Sequence, residues 1–161
     1  MSCFCNSSLP VEACCEPIIA GIEIAESPIQ LMRSRYSAYA TGNAVYIYQT
    51  YAKEHRHLHS VTEIEEWAKQ CVWLKLVIHS ASDVTLAPFT SADNSRVCFS
   101  AFYKQDNRYF LMKEDSRFVV ENGRWYYLDG DIIFHNEIVA PKRNDECFCE
   151  SGKKFKKCCG R

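Results

Sequence analysis

Tyr109-Phe110-Leu111-Met112-Lys113-Glu114-Asp115-Ser116-Arg117-Phe118-Val119-Val120-Glu121-Asn122-Gly123-Arg124-Trp125-Tyr126-Tyr127-Leu128-Asp129 is the stretch that decides the fold. β-Branched and aromatic residues mix with polar ones on both sides of Asn122-Gly123, and Asn-Gly supplies the two left-handed residues of a tight hairpin. The spacing predicts strands over residues 109–121 and 125–129, joined by that turn. A period of two also runs upstream through residues 96–105 and 73–87, so four strands are expected. Cys98 falls on the face opposite Val97, Phe99 and Ala101, and nothing gives it a chemical role.

Before residue 73 the period is helical. Ser27 can cap a helix whose first turn holds Pro28. That helix is expected to run to Tyr39 or Ala40 and stop before Gly42, with Ile29, Met32, Tyr36 and Tyr39 as its apolar stripe. Asn43 caps a second helix over 44–51. A third begins after Thr62, whose spacing to Glu65 and Glu66 resembles a helix start. Ile64, Trp67, Ala68 and Cys71 form its apolar face, which puts Cys71 in the core. Helices followed by strands give an α+β domain, with N-terminal helices packed on a curled antiparallel sheet.

Outside this domain the cysteines take over. Cys3-x-Cys5 is followed after eight residues by Cys14-Cys15, and Cys147-x-Cys149 after eight residues by Cys158-Cys159, so the two clusters hold eight of the ten cysteines. Four thiolates in so short a stretch suit one tetrahedral zinc. The competing reading is a disulfide framework of a secreted protein. Against it, Met1-Ser2-Cys3-Phe4-Cys5 lacks the basic start and apolar run of a secretory signal. Adjacent cysteines also cannot easily bridge each other, yet both can turn toward one ion. A reducing cytoplasm that keeps thiols free is the expected compartment. No run reaches the ~20 apolar residues of a spanning helix, so no membrane is expected.

Three units follow: a zinc module over 1–21, an α+β domain over 22–140 and a second zinc module over 141–161. The net charge of −1 carries no nucleic-acid signature, and no DNA partner is expected. With every position filled by thiolate neither zinc site is open to water, so both Zn2+ ions are read as structural. The two modules differ in charge. Between Cys5 and Cys14 the one charged side chain is Glu12, whereas Lys153, Lys154, Lys156 and Lys157 fill the corresponding stretch of the second. Ser151 is expected to cap a short helix there, with Phe155 as its apolar anchor.

Leu31-Met32-Arg33-Ser34-Arg35-Tyr36-Ser37-Ala38-Tyr39, then Asp115-Ser116-Arg117-Phe118, then Trp125-Tyr126-Tyr127-Leu128-Asp129-Gly130, in that order between two cysteine clusters, resemble the bacterial YchJ family. The resemblance implies a cone-shaped central domain similar to nuclear transport factor 2, and a family with no settled biochemical role. The segment from Arg143 to Gly160 resembles the SEC-C motif at the end of the bacterial SecA translocation motor. In that family the four ligand positions hold zinc and the module contacts partners such as the chaperone SecB and ribosomes, roles that Cys147, Cys149, Cys158 and Cys159 inherit here. Glu150 stands where that family usually has Gly. The first copy, with Cys3, Cys5, Cys14 and Cys15, has Asn6 at that position, a residue that enters the left-handed region readily.

The expected function is a non-enzymatic zinc protein whose basic C-terminal module docks on a protein or on the ribosome, while the N-terminal one clamps the chain to the domain. The alternative is a small-molecule-binding or catalytic cone with structural zinc modules. For that cone Arg33, Arg35, Asp115 and Arg117 are the possible pocket residues, beside His79, Asp83 and Tyr127. No spacing among them identifies a reaction, and ion pairing of the arginines with Asp115 or Glu114 is the simpler reading. His55, His57 and His59 would share a face if extended, but their polar surroundings make a fortuitous exposed cluster the preferred reading. A third class, cysteine-based redox sensing, predicts zinc release under mild oxidant.

Overall fold

A computed structural model describes residues 1–82 and 95–161 of the chain. Four antiparallel strands form one sheet in the order β1-β2-β3-β4, each bonded to the next in sequence: β1 (Val72–Ala81), β2 (Ser95–Gln105), β3 (Arg108–Glu121) and β4 (Arg124–Ile138). The predicted strand over 73–87 extends past residue 82 and, with Asp83, lies in part outside the described residues. Asn122 and Gly123 take φ of 49° and 75° and close β3 to β4 as expected. A second tight hairpin joins β2 to β3 through Asp106 and Asn107, at φ of 49° and 60°. β4 continues nine residues past the predicted Asp129, to Ile138.

The sheet bends because its outer strands carry extra residues. Register shifts fall between Trp73 and Lys75 and between Ile78 and Ser80 on the β1 side. On the β4 side, Lys113 and Glu114 pair with Phe134 and Ile132, and Arg117 and Phe118 pair with Asp129 and Tyr127. One residue on the outer strand is left unpaired at each step, which raises the local twist and curls the sheet.

Helices close the concave side: α1 (Glu16–Ile19), α2 (Pro28–Thr41), α3 (Ala44–Gln49), α4 (Lys53–Arg56) and α5 (Val61–Gln70). Ser27 accepts from the Gln30 N–H and Asn43 from the Tyr46 N–H, so both predicted caps are in place. The cap of α5 is Ser60, which accepts from the Glu63 N–H, and not Thr62. α2 is buried well beyond a single stripe: Leu31, Met32, Ser34, Arg35, Tyr36, Ser37 and Ala38 are all buried. It has a neighbour on nearly every side, the sheet on one, α3 and the first cysteine module on others. Residues 50–52 then run beside β4. The Ala52 N–H donates to the Tyr127 carbonyl at 2.7 Å and the Tyr127 N–H to the Thr50 carbonyl at 2.9 Å, which fastens the helical layer to the sheet.

The core between helices and sheet holds Leu31, Met32, Tyr36, Leu76, Val97, Phe99 and Phe118, and Cys3, Cys5 and Cys15 belong to the same cluster. The opposite, outer face of the sheet is covered in part by the last residues of the chain. Phe102, Cys147, Cys149, Phe155 and Cys159 form a separate buried cluster flanked by Leu74, Tyr109, Leu111 and Phe148. β2 is therefore buried on both faces at its centre, as a strand between two covering layers must be.

Candidate functional site

Each cysteine cluster is built by a short loop that turns back on itself. In the first, the Cys3 N–H donates to the Leu9 carbonyl at 2.8 Å, and in the second the Cys147 N–H donates to the Lys153 carbonyl at the same 2.8 Å. The Asn6 N–H reaches the Cys3 carbonyl and the Glu150 N–H the Cys147 carbonyl, at 3.2 and 3.3 Å. Asn6 and Glu150 share a left-handed φ, 60° and 59°, and the following left-handed pair is Ser8 and Gly152, at 67° and 68°. A 3-10 turn closes each loop, Val11–Ala13 in one and Phe155–Lys157 in the other. The expected Ser151-capped helix is thus a single 3-10 turn. Ser151 instead lies 3.3 Å from Cys158 Sγ, just as Ser7 lies 3.2 Å from Cys14 Sγ.

These loops bring Cys3, Cys5, Cys14 and Cys15 together, and separately Cys147, Cys149, Cys158 and Cys159, with all four sulfurs of each group within 4.8 Å of one another. A tetrahedral zinc with Zn–S of about 2.3 Å requires sulfurs about 3.8 Å apart. Cys5 to Cys14 and Cys14 to Cys15 measure 3.6 and 3.8 Å, and Cys149 to Cys158 and Cys158 to Cys159 measure 3.5 and 3.9 Å. All ten cysteines are free thiols, at odds with a disulfide framework. Either group could hold a metal ion, and zinc fits the donor set.

The thiols of each cluster shift one another's ionisation in opposite directions. Cys5 is drawn down to about 4, chiefly by the hydrogen bond from Cys15, while the Cys15 thiol is pushed up by the same contact and by burial. At Cys158 burial opposes ionisation, but hydrogen bonds from Ser151 and Cys149 outweigh it and lower the thiol to about 7. Within each cluster one thiol is drawn down while neighbours are pushed up, Cys14 and Cys15 in the first and Cys149 and Cys159 in the second, and a metal bound by such thiols displaces their protons.

The two clusters are anchored differently. The first is tied to the domain by Arg33, which donates to the Cys5 carbonyl at 2.7 Å, and by Asn6, which accepts from the Leu76 N–H at 2.8 Å. The second rests on aromatic contacts: Phe148 stacks on Phe102 at 5.2 Å, and Phe155 meets Tyr109 edge-on at 5.5 Å. Lys153, Lys154 and Lys157 are exposed and Lys156 is half-buried. None of the four forms an ion pair among the described residues, where the pairs that do form involve other side chains.

Of the four possible pocket residues, Arg35 alone lines the cavity inside the cone. Arg33 holds the first cysteine loop. Asp115 and Arg117 point to the outer side of the sheet, where Asp115 pairs with Arg96 at 2.6 Å and Arg117 with Asp129 and, at 2.9 Å, Asp131. The arginines therefore do not tie helix to sheet through Asp115 or Glu114. The carboxylate inside the cone is Glu114, which accepts from Ser116 at 2.8 Å and from Tyr127 at 2.5 Å. Its phase with Met112, Ser116 and Phe118 was the available signal. His79 bonds Ser100 at 2.7 Å. His55 sits in α4 and bonds the Leu128 carbonyl, His59 stacks on Tyr51 at 3.8 Å, and His57 is exposed, so the helix separates the three.

Residues 27–130 match the family described as YchJ, middle NTF2-like domain, and residues 143–161 match the SEC-C motif. The chain belongs to the YchJ family. A UPF0225 protein of Vibrio cholerae serotype O1 is 36% identical over 160 residues, spanning 99% of this chain and all of the relative. A UPF0225 protein of Pectobacterium carotovorum is 37% identical over 163 residues, spanning 99% of this chain and 98% of the relative. Two solved structures share the architecture. The solution structure of a SEC-C motif containing protein from Rhodopseudomonas palustris has a TM-score of 0.73 at 30% identity, covering 83% of this chain and 100% of that one. The crystal structure of a SEC-C motif containing protein from Psychrobacter arcticus has a TM-score of 0.64 at 29% identity, covering 99% and 94%. In this YchJ-family chain the NTF2-like domain is the α+β cone and the SEC-C motif is the second cysteine knuckle. No helix among the described residues is long and apolar enough to cross a membrane.

Proposed function

We propose that this protein is a non-enzymatic, cytoplasmic zinc protein whose C-terminal knuckle presents a basic edge to an anionic partner, a protein or the ribosome. The observation that carries this reading is the seating of that knuckle. Phe148 and Phe155 face the sheet while Lys153, Lys154 and Lys157 remain exposed and, among the described residues, without ion pairs. A charged edge held on a rigid base loses little freedom on docking, which favours affinity. The N-terminal knuckle lacks such an edge and serves as a clamp between α2 and β1. Cys3, Cys5, Cys14 and Cys15 hold one structural zinc, and Cys147, Cys149, Cys158 and Cys159 the other. Four thiolates leave no open coordination position, which supports structural rather than catalytic ions.

Replacing Lys153, Lys154, Lys156 and Lys157 with serine is expected to weaken capture of ribosomes or of an acidic protein partner, measured by co-sedimentation and pull-down, with the melting profile preserved. Unchanged capture by the folded variant would exclude the docking role. Elemental analysis under reducing conditions is expected to find two zinc ions per chain, falling to one in a Cys158→Ser, Cys159→Ser variant. A metal-free wild type would remove the structural-zinc reading.

A further inference from the structure

β4 has two halves, one covered and one open. In the first, Tyr127 exchanges backbone hydrogen bonds with residues 50 and 52, and His55 bonds the Leu128 carbonyl. Beyond Asp129 the strand pairs with β3, and among the described residues no backbone group outside the sheet bonds to it. Residues 131–137 are exposed without a break. Ile132, Ile133, Phe134 and, just past the strand, Val139 are 54, 56, 38 and 94% exposed.

Scattered apolar side chains on a surface are ordinary, but a run of them along a free strand edge is not. The unpaired N–H and C=O groups of such an edge template the addition of another strand, and edges are commonly blunted with Lys, Pro or a covering segment. From Ile132 to Val139 there is no Lys, Arg or Pro. The opposite edge of the sheet is guarded: β1 carries Lys75, and its Leu76 N–H is taken by Asn6 of the first knuckle loop.

The open half of β4 is also complementary to itself. Phe134, Asn136 and Ile138 pair with Lys113, Leu111 and Tyr109 and share the outer face of the sheet, while His135 and Glu137 pair with Met112 and Phe110 on the inner face. Two antiparallel copies joined edge to edge by a two-fold axis keep outer residues opposite outer ones, so the axis passes through a residue. With the axis at Asn136, Phe134 meets Ile138 and His135 meets Glu137, each twice, and Ile133 and Val139 flank the ribbon at both ends. An axis at Phe134 would set Asp131 against Glu137, one at His135 would set two imidazoles face to face, and one at Glu137 two carboxylates. Like charges directly opposite are unfavourable and complementary pairs stabilise, so the side chains select Asn136. His135 suits this contact. Its Nε2 bonds the Tyr103 hydroxyl at 2.7 Å, and with Nε2 accepting, Nδ1 carries the proton and can donate to a facing carboxylate. Glu137 meets Arg108 of its own chain at 3.3 Å through Oε2, which leaves Oε1 for that donor.

We propose that β4 pairs through residues 134–138 with the same strand of a second copy of this chain, about an axis at Asn136, so that two four-stranded sheets join edge to edge into one of eight strands. The contact uses the same surface on both copies and occupies both open edges, so assembly stops at the dimer. A ribbon this short buries less than a standard interface, so the dimer is weak and forms as concentration rises.

The test is sedimentation equilibrium of the full chain under reducing conditions, from about 10 to 500 µM. A reversible monomer–dimer equilibrium is expected. His135→Glu sets a carboxylate against Glu137, and Glu137→Lys takes the acceptor away from His135. Because the two-fold repeats each pair, either change is expected to weaken the dimer by about tenfold. Mixing the two variants, one carrying a fluorescent label, leaves one native pair and adds a carboxylate–ammonium pair, so a dimer containing both chains is expected at close to the wild-type concentration. Phe134→Lys, at an exposed position, is expected to abolish the dimer and decides the matter if His135→Glu does not fold. A wild type that stays monomeric throughout the range, leaving the edge to an extended segment of another protein, would overturn the proposal. So would a dimer that folded variants leave unchanged, or a mixture that associates no better than its components.

Discussion

At Gly130 the backbone passes directly over the Glu114 side chain, so an added Cβ would collide with the carboxylate. Gly130→Ala should displace Glu114 from Ser116 and Tyr127, with an expected loss of about 1–3 kcal/mol in urea unfolding. The knuckle loops offer the opposite change. Ser8 and Glu150 occupy left-handed backbone, at φ of 67° and 59°, where a Cβ is strained. Ser8→Gly and Glu150→Gly should each strengthen their loop by about 1 kcal/mol, measured as slower zinc loss to a chelator, while faster loss would show that the side chains do more than fill space. The strain at Glu150 could be anticipated from its place in the SEC-C pattern, and the grouping of four cysteines in each cluster from spacing alone. The inward carboxylate was harder to see. Glu114, Asp115 and Arg117 are adjacent charges on one strand, and only their phase with Met112 and Phe118 separates the one inside from the two outside.

Among the elements, α5 shows how a cap is misplaced. Thr62 precedes two glutamates at a plausible spacing, but Ser60 accepts the Glu63 N–H at 3.2 Å and starts the helix two residues earlier. Ser60→Ala should cost about 1 kcal/mol in urea unfolding, while Thr62→Ala, at an exposed position, should be nearly neutral; the reverse order would return the cap to Thr62. The helix starts at Ser27 and Asn43 and the Asn122-Gly123 turn were legible because each rests on local chemistry. The Asp106-Asn107 turn, the length of β4 and the burial of α2 on several sides were not. Asp-Asn is a weaker left-handed signal than Asn-Gly. The last half of β4 alternates poorly because most of its residues are exposed on both faces. The surroundings of α2 come from the first cysteine module, whose docking has no periodic signature.

For the molecule as a whole, burial of tyrosines couples stability to alkaline pH. Tyr36, Tyr39 and Tyr127 are all pushed above the ordinary range, foremost by burial, and in Tyr127 also by Glu114. The unfolded chain ionises these phenols near pH 10 while the folded chain keeps them neutral. Their contribution is therefore complete below about pH 10 and declines as the pH rises beyond it. Unfolding free energy should fall from that point, with tyrosinate absorbance of these residues appearing only together with loss of structure. Ionisation of all nine tyrosines before unfolding would contradict the packing described. Periodicity and cysteine spacing made the α+β centre and its two cysteine-cluster flanks legible, but not that one knuckle joins the main core while the other covers the outer face. That arrangement has a consequence for synthesis. Translation runs from the N-terminus, so the first knuckle meets its seat on α2 and β1 early, whereas the cover over Phe102, Tyr109 and Leu111 is made last. At about 5–20 residues per second, a nascent chain carries a finished sheet with a bare aromatic back for a second or more before residues 147–159 can cover it.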